Sequence, residues 1–251
     1  MSDVIDATSK AIEVEIRPGV LRPDWSVVTS KIARDALCAR SASRSSLVEG
    51  WAVALDSSED RAWQRVLALF VELGRAPSIA EIAADTGLEE ETAKSILKHL
   101  QSRDLLRLGE NGGIIDAYPF TERATGHVVK LGCHKLNALC AIDALGAGAM
   151  CGRDVAVEST CRACGMAIRI ATANQGARIA TVSPAGTVVW HDTFYSGSAA
   201  SSCCPRTAFF CSDAHLNDWL SASDERSGRR LSADEALQVG RAIFGPVLAK
   251  A

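Results

Sequence analysis

No stretch of this 251-residue chain approaches the roughly 18 consecutive apolar residues that would cross a bilayer. The first residues, Met1-Ser-Asp3-Val-Ile-Asp6, carry acid where a secretory leader carries base and an apolar core, so a cytoplasmic protein with no membrane partner is expected. Positive charge is not in excess either: 27 Lys and Arg against 30 Asp and Glu leave −3, which gives no signal for a polyanion partner. A disulfide framework is also missing. Nine cysteines are an odd set, and all but Cys38 fall after residue 130. In a reducing compartment such clustering favours metal or catalytic thiols. Hydrophobic and charged contents of 47% and 23% are those of an ordinary globular chain, long enough for one large domain or two small ones.

Residues 1–58 give few signals. Ile12–Ile16 alternates apolar and acidic residues like a short strand, Val27–Leu37 has helical spacing, and Ser41–Ser46 reads as a linker, so a partly mobile N-terminal arm is expected. Residues 59–118 are clearer. Trp63, Val66, Leu67, Phe70 and Leu73 recur at helical spacing before Gly74. Ser78-Ile-Ala-Glu81 is a capping box opening a helix through Ala84, and a third helix spans Glu89–Ser102. Leu105–Leu108 and Ile114–Tyr118 then form a hairpin, which predicts a winged helix-turn-helix module. Such a module usually reads DNA through the start of its last helix. Here that start is Glu89-Glu90-Glu91, and residues 1–116 hold 14 Lys and Arg against 19 Asp and Glu. A scaffold wall or dimer surface is expected in place of a nucleic-acid reader.

Residues 119–251 change character. His127–Leu131 reads as a strand leading into a helix that carries Cys140 and Asp143 and stops at Gly146. Val155–Glu158, Met166–Ile170, Ile179–Val182, Thr187–Trp190 and Thr207–Cys211 are β-branched or aromatic runs between turns. Ser212 and Ser232-Ala-Asp-Glu235 each open a helix. The fold class is therefore α+β: a winged helix-turn-helix module followed by a small, mostly antiparallel sheet with flanking helices carrying the thiol site.

Within that last region a thiol and a carboxyl three residues apart, Cys140 and Asp143, share one face of a helix. An aspartate among Ala, Ile and Leu loses hydration, which raises its pKa and equips it to carry a proton. Ser201-Ser-Cys203-Cys204-Pro205 supplies further thiols; in an extended segment only one of the adjacent pair would face a shared site. Cys161-Arg-Ala-Cys164-Gly165 has the spacing of half a zinc knuckle, which Cys203 and Cys204 would complete poorly. Cys38, Cys133, Cys151 and Cys211 are expected to be small buried hydrophobes, and His191 and His215 to be structural.

Taken together, Asn137-Ala-Leu-Cys140-Ala-Ile-Asp143-Ala-Leu145, Ser159-Thr-Cys161, Ser183-Pro-Ala-Gly186 and Ser202-Cys203-Cys204-Pro-Arg-Thr-Ala-Phe209-Phe210 resemble the organomercurial (alkylmercury) lyase family over roughly residues 75–245. The resemblance implies protonolysis of a carbon–mercury bond, with Cys140 and Cys203 capturing mercury and Asp143 acting as acid and base. It makes Cys204 an accessory thiol and Cys161 a buried structural cysteine. Cys164 and the long N-terminal arm depart from the family pattern. No cofactor is implied; Hg(II) is the bound product, and low-molecular-weight thiols or a mercuric reductase would accept it. The alternatives are a non-catalytic metal-binding protein or metallochaperone for copper, zinc or mercury, and a metal-responsive regulator that reads DNA through the winged helix.

Overall fold

The computed structural model describes residues 13–43, 55–222 and 227–249. It is a mixed α+β structure with antiparallel sheets. Ile12 and residues 44–46 of the expected linker lie outside the described residues.

Near the N-terminus, strands β1 (Val14–Arg17) and β2 (Val20–Arg22) pair through a tight turn, and helix α1 (Lys31–Ala42) follows, capped by Ser30. The helix therefore starts four residues later than its apolar spacing predicts, because the Ser30 side chain accepts from the amides of Ile32 and Ala33. This segment is anchored. Arg17 makes a two-pronged pair with Asp60, both bonds 2.9 Å, and donates to the carbonyls of Pro246, Val247 and Ala249. A planar guanidinium can satisfy all those acceptors at once, which joins both ends of the described chain to one helix.

That helix is α2 (Ser57–Leu73), opened by a capping box at Asp56 and closed by Gly74 in the left-handed conformation. Helices α3 (Ile79–Thr86) and α4 (Glu90–Ser102) pack against it through the apolar faces expected, Ile82, Ala93, Ile96, Leu97 and Leu100 being buried. A hairpin of β3 (Leu106–Leu108) and β4 (Ile114–Ala117) comes next.

The hairpin is the edge of a much larger sheet. Strands β5 (Phe120–Thr121), β6 (Val128–Leu131), β7 (His134–Ala138), β8 (Ala156–Thr160), β9 (Ala167–Ala173) and β10 (Arg178–Ser183) complete eight antiparallel strands in the order β10-β9-β8-β6-β7-β5-β4-β3. The small sheet expected from sequence is thus a long one, because short strands such as Phe120–Thr121 lack any periodic signature and still bridge their neighbours. A second sheet has the order β12-β11-β13, from β11 (Val188–Asp192), β12 (Ala208–Phe210) and β13 (Gly228–Ser232). Helix α6 (Asp213–Ser221) follows β12, and α7 (Ala233–Phe244) closes the fold behind its Ser232 capping box.

Helix α5 (Ala141–Cys151) lies at the centre. Its sequence, AIDALGAGAMC, has no polar face, and nearly every residue in it is buried. It packs against α7, β6, β7 and β12. The expected stop at Gly146 does not occur. A Cβ there would stand 2.8 Å from the Gly240 carbonyl oxygen, so the two glycines let α5 and α7 cross closely, and the left-handed Gly152 ends the helix instead. The run before Cys140 is also not helical: His134–Ala138 is β7, leaving Cys140 as the cap between strand and helix.

Candidate active site

Cys140 owes its position to that cap. Its backbone is extended, and its sulfur accepts from the Asp143 amide at 3.5 Å, as a serine or aspartate would at a helix start. Asp143 is then the third residue of the first helical turn, and its carboxyl shares a site with the sulfur by cap geometry in addition to helical spacing. Both side chains are buried, at 4% exposure each.

The third member comes from the opposite side. Cys203 adopts a helical backbone conformation and Cys204 begins a single 3-10 turn over Cys204–Arg206, with Pro205 inside it. The pair is therefore not extended, and both thiols face inwards: each lines the same small cavity of about 40 Å³ as Cys140 and Asp143. Cys204 Sγ donates to Asp143 Oδ2 at 3.7 Å, whereas Cys203 Sγ points to the Ala199 carbonyl at 3.8 Å. One ligand atom from each of Cys140, Asp143 and Cys204 falls within 4.8 Å of the others. Of the expected trio, Cys140 and Asp143 are together, and Cys203 is a neighbour on the cavity wall.

Burial dominates the electrostatics. Desolvation pushes the Asp143 carboxyl from 3.8 up to about 7, with the nearby Cys203 adding to the rise and hydrogen bonds from Cys140 and Cys204, together with Arg40, opposing it. Burial likewise pushes the Cys140 thiol up to about 11. Cys204 is raised well above a free thiol because Cys140 and Cys203 hydrogen-bond to it and because it is buried. At neutral pH the Cys140 and Cys204 thiols are therefore protonated beside a carboxyl poised between its two forms.

Several residues around this cavity carry no sequence signal. Asp104, in the left-handed region at φ 51°, ends α4 and is 8% exposed. Its carboxylate accepts from Tyr118 at 2.7 Å, Tyr195 at 3.1 Å and the Ala199 amide at 2.8 Å, and the Tyr118 hydroxyl in turn accepts from the Ala200 amide at 2.9 Å. This network fixes the loop that leads into Cys203 and Cys204. Arg22 and Arg40 of the N-terminal segment also line the cavity, as does His191. A lone histidine near a strand end reads as structural in the sequence, yet His191 reaches the site because β11 runs behind the thiol loop.

The remaining cysteines divide. Cys133 is exposed and not a buried hydrophobe, while Cys38 and Cys151 are half-buried. Cys161 and Cys164 do not join Cys203 and Cys204; they meet Cys211 and His215. Although burial raises the Cys161 thiol, amide hydrogen bonds from Cys211, Cys164 and Ala163 outweigh it and hold the group at about 7.

A buried two-thiol and carboxyl site in an antiparallel α+β fold defines a class of proteins that handle a soft, thiol-seeking centre next to a proton donor. Comparisons make the class particular. The alkylmercury lyase (MerB) family pattern matches residues 120–245. The chain is 32% identical over 164 residues to the alkylmercury lyase of Staphylococcus epidermidis, covering 65% of this chain and 72% of that protein. It is 30% identical over 169 residues to that of Bacillus cereus, covering 67% and 74%. Its fold matches the crystal structure of the mercury-bound form of MerB2 with a TM-score of 0.69 at 22% identity, over 83% of this chain and 98% of that one. The chain belongs to the alkylmercury lyase family.

No helix among the described residues is long and apolar enough to cross a membrane.

Proposed function

We propose that this protein cleaves carbon–mercury bonds of small organomercurials by protonolysis, giving a hydrocarbon and Hg(II) held by two protein sulfurs. The observation that carries the reading is the buried Asp143 carboxyl, raised to about 7, accepting from Cys204 Sγ and lying within 4.8 Å of Cys140 Sγ. A metal-holding site needs only ligands. A bond-breaking site also needs a group that accepts a thiol proton and later gives it to carbon, and such a group works best with its pKa near the operating pH.

In the first step a thiol of the protein displaces the anion or thiolate that accompanies the organomercury cation, and its proton leaves with that group. Asp143, as carboxylate, takes the proton of the second thiol, and the resulting thiolate adds to mercury. Two sulfurs now push electron density towards carbon. The neutral Asp143 gives its proton to that carbon as the carbon–mercury bond breaks, so hydrocarbon leaves, Hg(II) stays between two thiolates and the carboxylate is restored. The apolar surroundings serve both halves, raising the acid and excluding water.

Cys140 supplies one sulfur. For the other, the family motif favours Cys203 with Cys204 accessory, while the 3.7 Å contact to Asp143 favours Cys204. Serine variants of each, assayed for methane from methylmercury with excess small thiol, decide between them. Asp143→Asn tests the reaction itself: metal affinity should persist while hydrocarbon release stops. Wild-type protein that binds mercury but releases no hydrocarbon would leave a metal-binding protein or metallochaperone, whereas release that continues in Asp143→Asn would remove Asp143 as the proton donor.

The remaining parts of the reading follow from this chemistry. Low-molecular-weight thiols, or a mercuric reductase, take the Hg(II), since water is too weak a ligand for it, and no cofactor enters. A cytoplasmic location suits free thiols and a thiol acceptor pool. Residues 59–118 serve as a winged-helix scaffold that holds the thiol loop through Asp104, residues 119–251 form the catalytic part, and no nucleic acid is bound. What supports this role is the acidic start of α4 and the Asp104 network.

A further inference from the structure

We propose that Cys161, Cys164, Cys211 and His215 form a second metal site, separate from the mercury-handling cavity, that takes one structural zinc ion. One ligand atom from each lies within 4.8 Å of all the others. Tetrahedral zinc with sulfur ligands at about 2.3 Å requires ligand-to-ligand edges of roughly 3.5–3.8 Å. Cys164 Sγ and Cys211 Sγ stand 3.7 Å apart, and Cys161 Sγ is 3.9 Å from His215 Nδ1. Two edges thus already have about the length that zinc imposes. The Cys211–His215 edge is shorter, at 2.9 Å, with the sulfur and Nδ1 in direct contact. It opens when the thiol proton is lost to solvent and the metal takes its place.

The backbone is shaped for the same purpose. Cys161-Arg-Ala-Cys164-Gly165 forms a tight turn in which the Gly165 amide donates to the Cys161 carbonyl at 2.9 Å, the Cys161 amide donates to the Met166 carbonyl at 2.8 Å, and Gly165 is left-handed at φ 73°. This is the knuckle conformation that aims two sulfurs at one point. The other half is Cys211-x-x-x-His215: Cys211 follows β12, Ser212 caps α6, and His215 stands in the first turn of that helix with its amide bonded to the Ser212 hydroxyl. The two halves are held together by the Arg162 amide, which donates to the Phe209 carbonyl at 3.0 Å.

On binding, the three thiols release their protons to solvent and the imidazole coordinates through Nδ1, giving a closed tetrahedral centre with no open position for chemistry. Such a centre fastens the end of β8 in the large sheet to the end of β12 and the start of α6. Since β12 is the strand that the Cys203–Cys204 loop feeds, zinc fixes the far end of the element that carries the active thiols.

The test is elemental analysis of the full-length protein made in zinc-containing medium and desalted under reducing conditions. About one zinc per chain is expected, kept in Cys140→Ser/Cys204→Ser and reduced to less than about a tenth in Cys164→Ser/His215→Ala. Because Cys164 is exposed, Cys164→Ser alone should fold, and chelator competition on it should show zinc affinity lowered about tenfold or more. Cobalt(II) added to the metal-free protein should give the intense spectrum of a tetrahedral thiolate site. The proposal is overturned if the wild-type protein holds no zinc and gives no thiolate–cobalt spectrum. It is equally overturned if the metal is lost with Cys140 and Cys204 but retained without Cys164 and His215.

Discussion

Two clusters of sulfur ligands lie at opposite ends of one strand, and they differ in the partner that is not sulfur. Before β12, Cys140 and Cys204 meet a buried carboxyl in a cavity; after it, Cys161, Cys164 and Cys211 meet an imidazole beside an exposed edge. Carboxyl and imidazole divide the chemistry. A desolvated carboxyl can take a proton and return it, while the imidazole adds a neutral ligand that completes a tetrahedron. Soft sulfur alone therefore does not distinguish a reactive site from a structural one; the neighbour that carries or does not carry a proton does.

The comparison breaks most sharply at Asp143. Asp143→Asn should lower hydrocarbon release by about 10³-fold or more, the scale of losing a positioned acid and base, with Hg(II) binding retained. Single-turnover gas analysis after methylmercury loading reads this directly. Cys140→Ser should abolish release and weaken Hg(II) binding together, so a variant that binds as tightly as wild type would rule out Cys140 as a mercury ligand.

The next largest effect is expected at Asp104, which lines the cavity but belongs to neither cluster of ligands. Asp104→Ala removes acceptors from Tyr118, Tyr195 and the Ala199 amide. A loss of about 2–3 kcal/mol follows from leaving the buried Tyr118 hydroxyl and Ala199 amide without this acceptor. If it falls on loop position, kcat drops roughly 30- to 160-fold while KM changes little. An equal loss of thermal stability with unchanged kcat would make the network a fold element only.

Acidity offers a further separation. In the free enzyme Asp143 must be a carboxylate to accept a thiol proton, so kcat/KM should fall about tenfold per pH unit below about 7. A profile flat from pH 5 to pH 8 contradicts that assignment. The same shift has the opposite sign for stability. Folding favours the neutral carboxyl, so its stabilising contribution is complete below the unfolded value of 3.8 and is lost as pH rises through about 7. Asp143→Asn should therefore unfold at a higher temperature than wild type at pH 8 and not at pH 4, the difference reaching at most roughly 4 kcal/mol. Calorimetry at the two pH values checks it.

The smallest effect on activity sharpens the structural end. Arg17→Ala leaves the largely buried Asp60 without its charged partner, with the Gln64 amide still bonded to it, and frees three carbonyls of the C-terminal segment, which should cost about 3 kcal/mol of stability with no change in the pH profile of activity. Chemical denaturation followed by a pH–rate profile measures both. A moved pH profile would show that the N-terminal segment, which supplies Arg22 and Arg40 to the cavity wall, sets the electrostatics of the site and not only its framework.

Local rules read much of this protein from its sequence. The capping boxes at Ser78 and Ser232, the left-handed stop at Gly74 and the Ser212 cap sit where hydrogen bonding within four residues puts them. Cys140 and Asp143 were legible because a thiol and an acid in an apolar run have few structural reasons to be there. Gly146 misleads because glycine marks a helix end and a close helix crossing alike. The Cys211-x-x-x-His215 half-site is a faint signal: with Cys161-x-x-Cys164 it completes a four-ligand spacing, but each half alone looks like chance. Asp104 gave no signal at all, since its partners are 14, 91 and 95 residues away.

By itself the sequence determined the helices, most of the strands, the family and the acid between two stretches rich in thiols, because each depends on neighbours along the chain. Only the tertiary structure decided that Cys204 meets Asp143 while Cys203 turns to Ala199, that Cys161 and Cys164 pair with Cys211 and His215, and that the end of the helical module grips the thiol loop. The physical reason is reach: a hydrogen bond or a metal ligand acts over about 3–4 Å in space, and where the chain folds back, that distance bears no relation to separation in sequence.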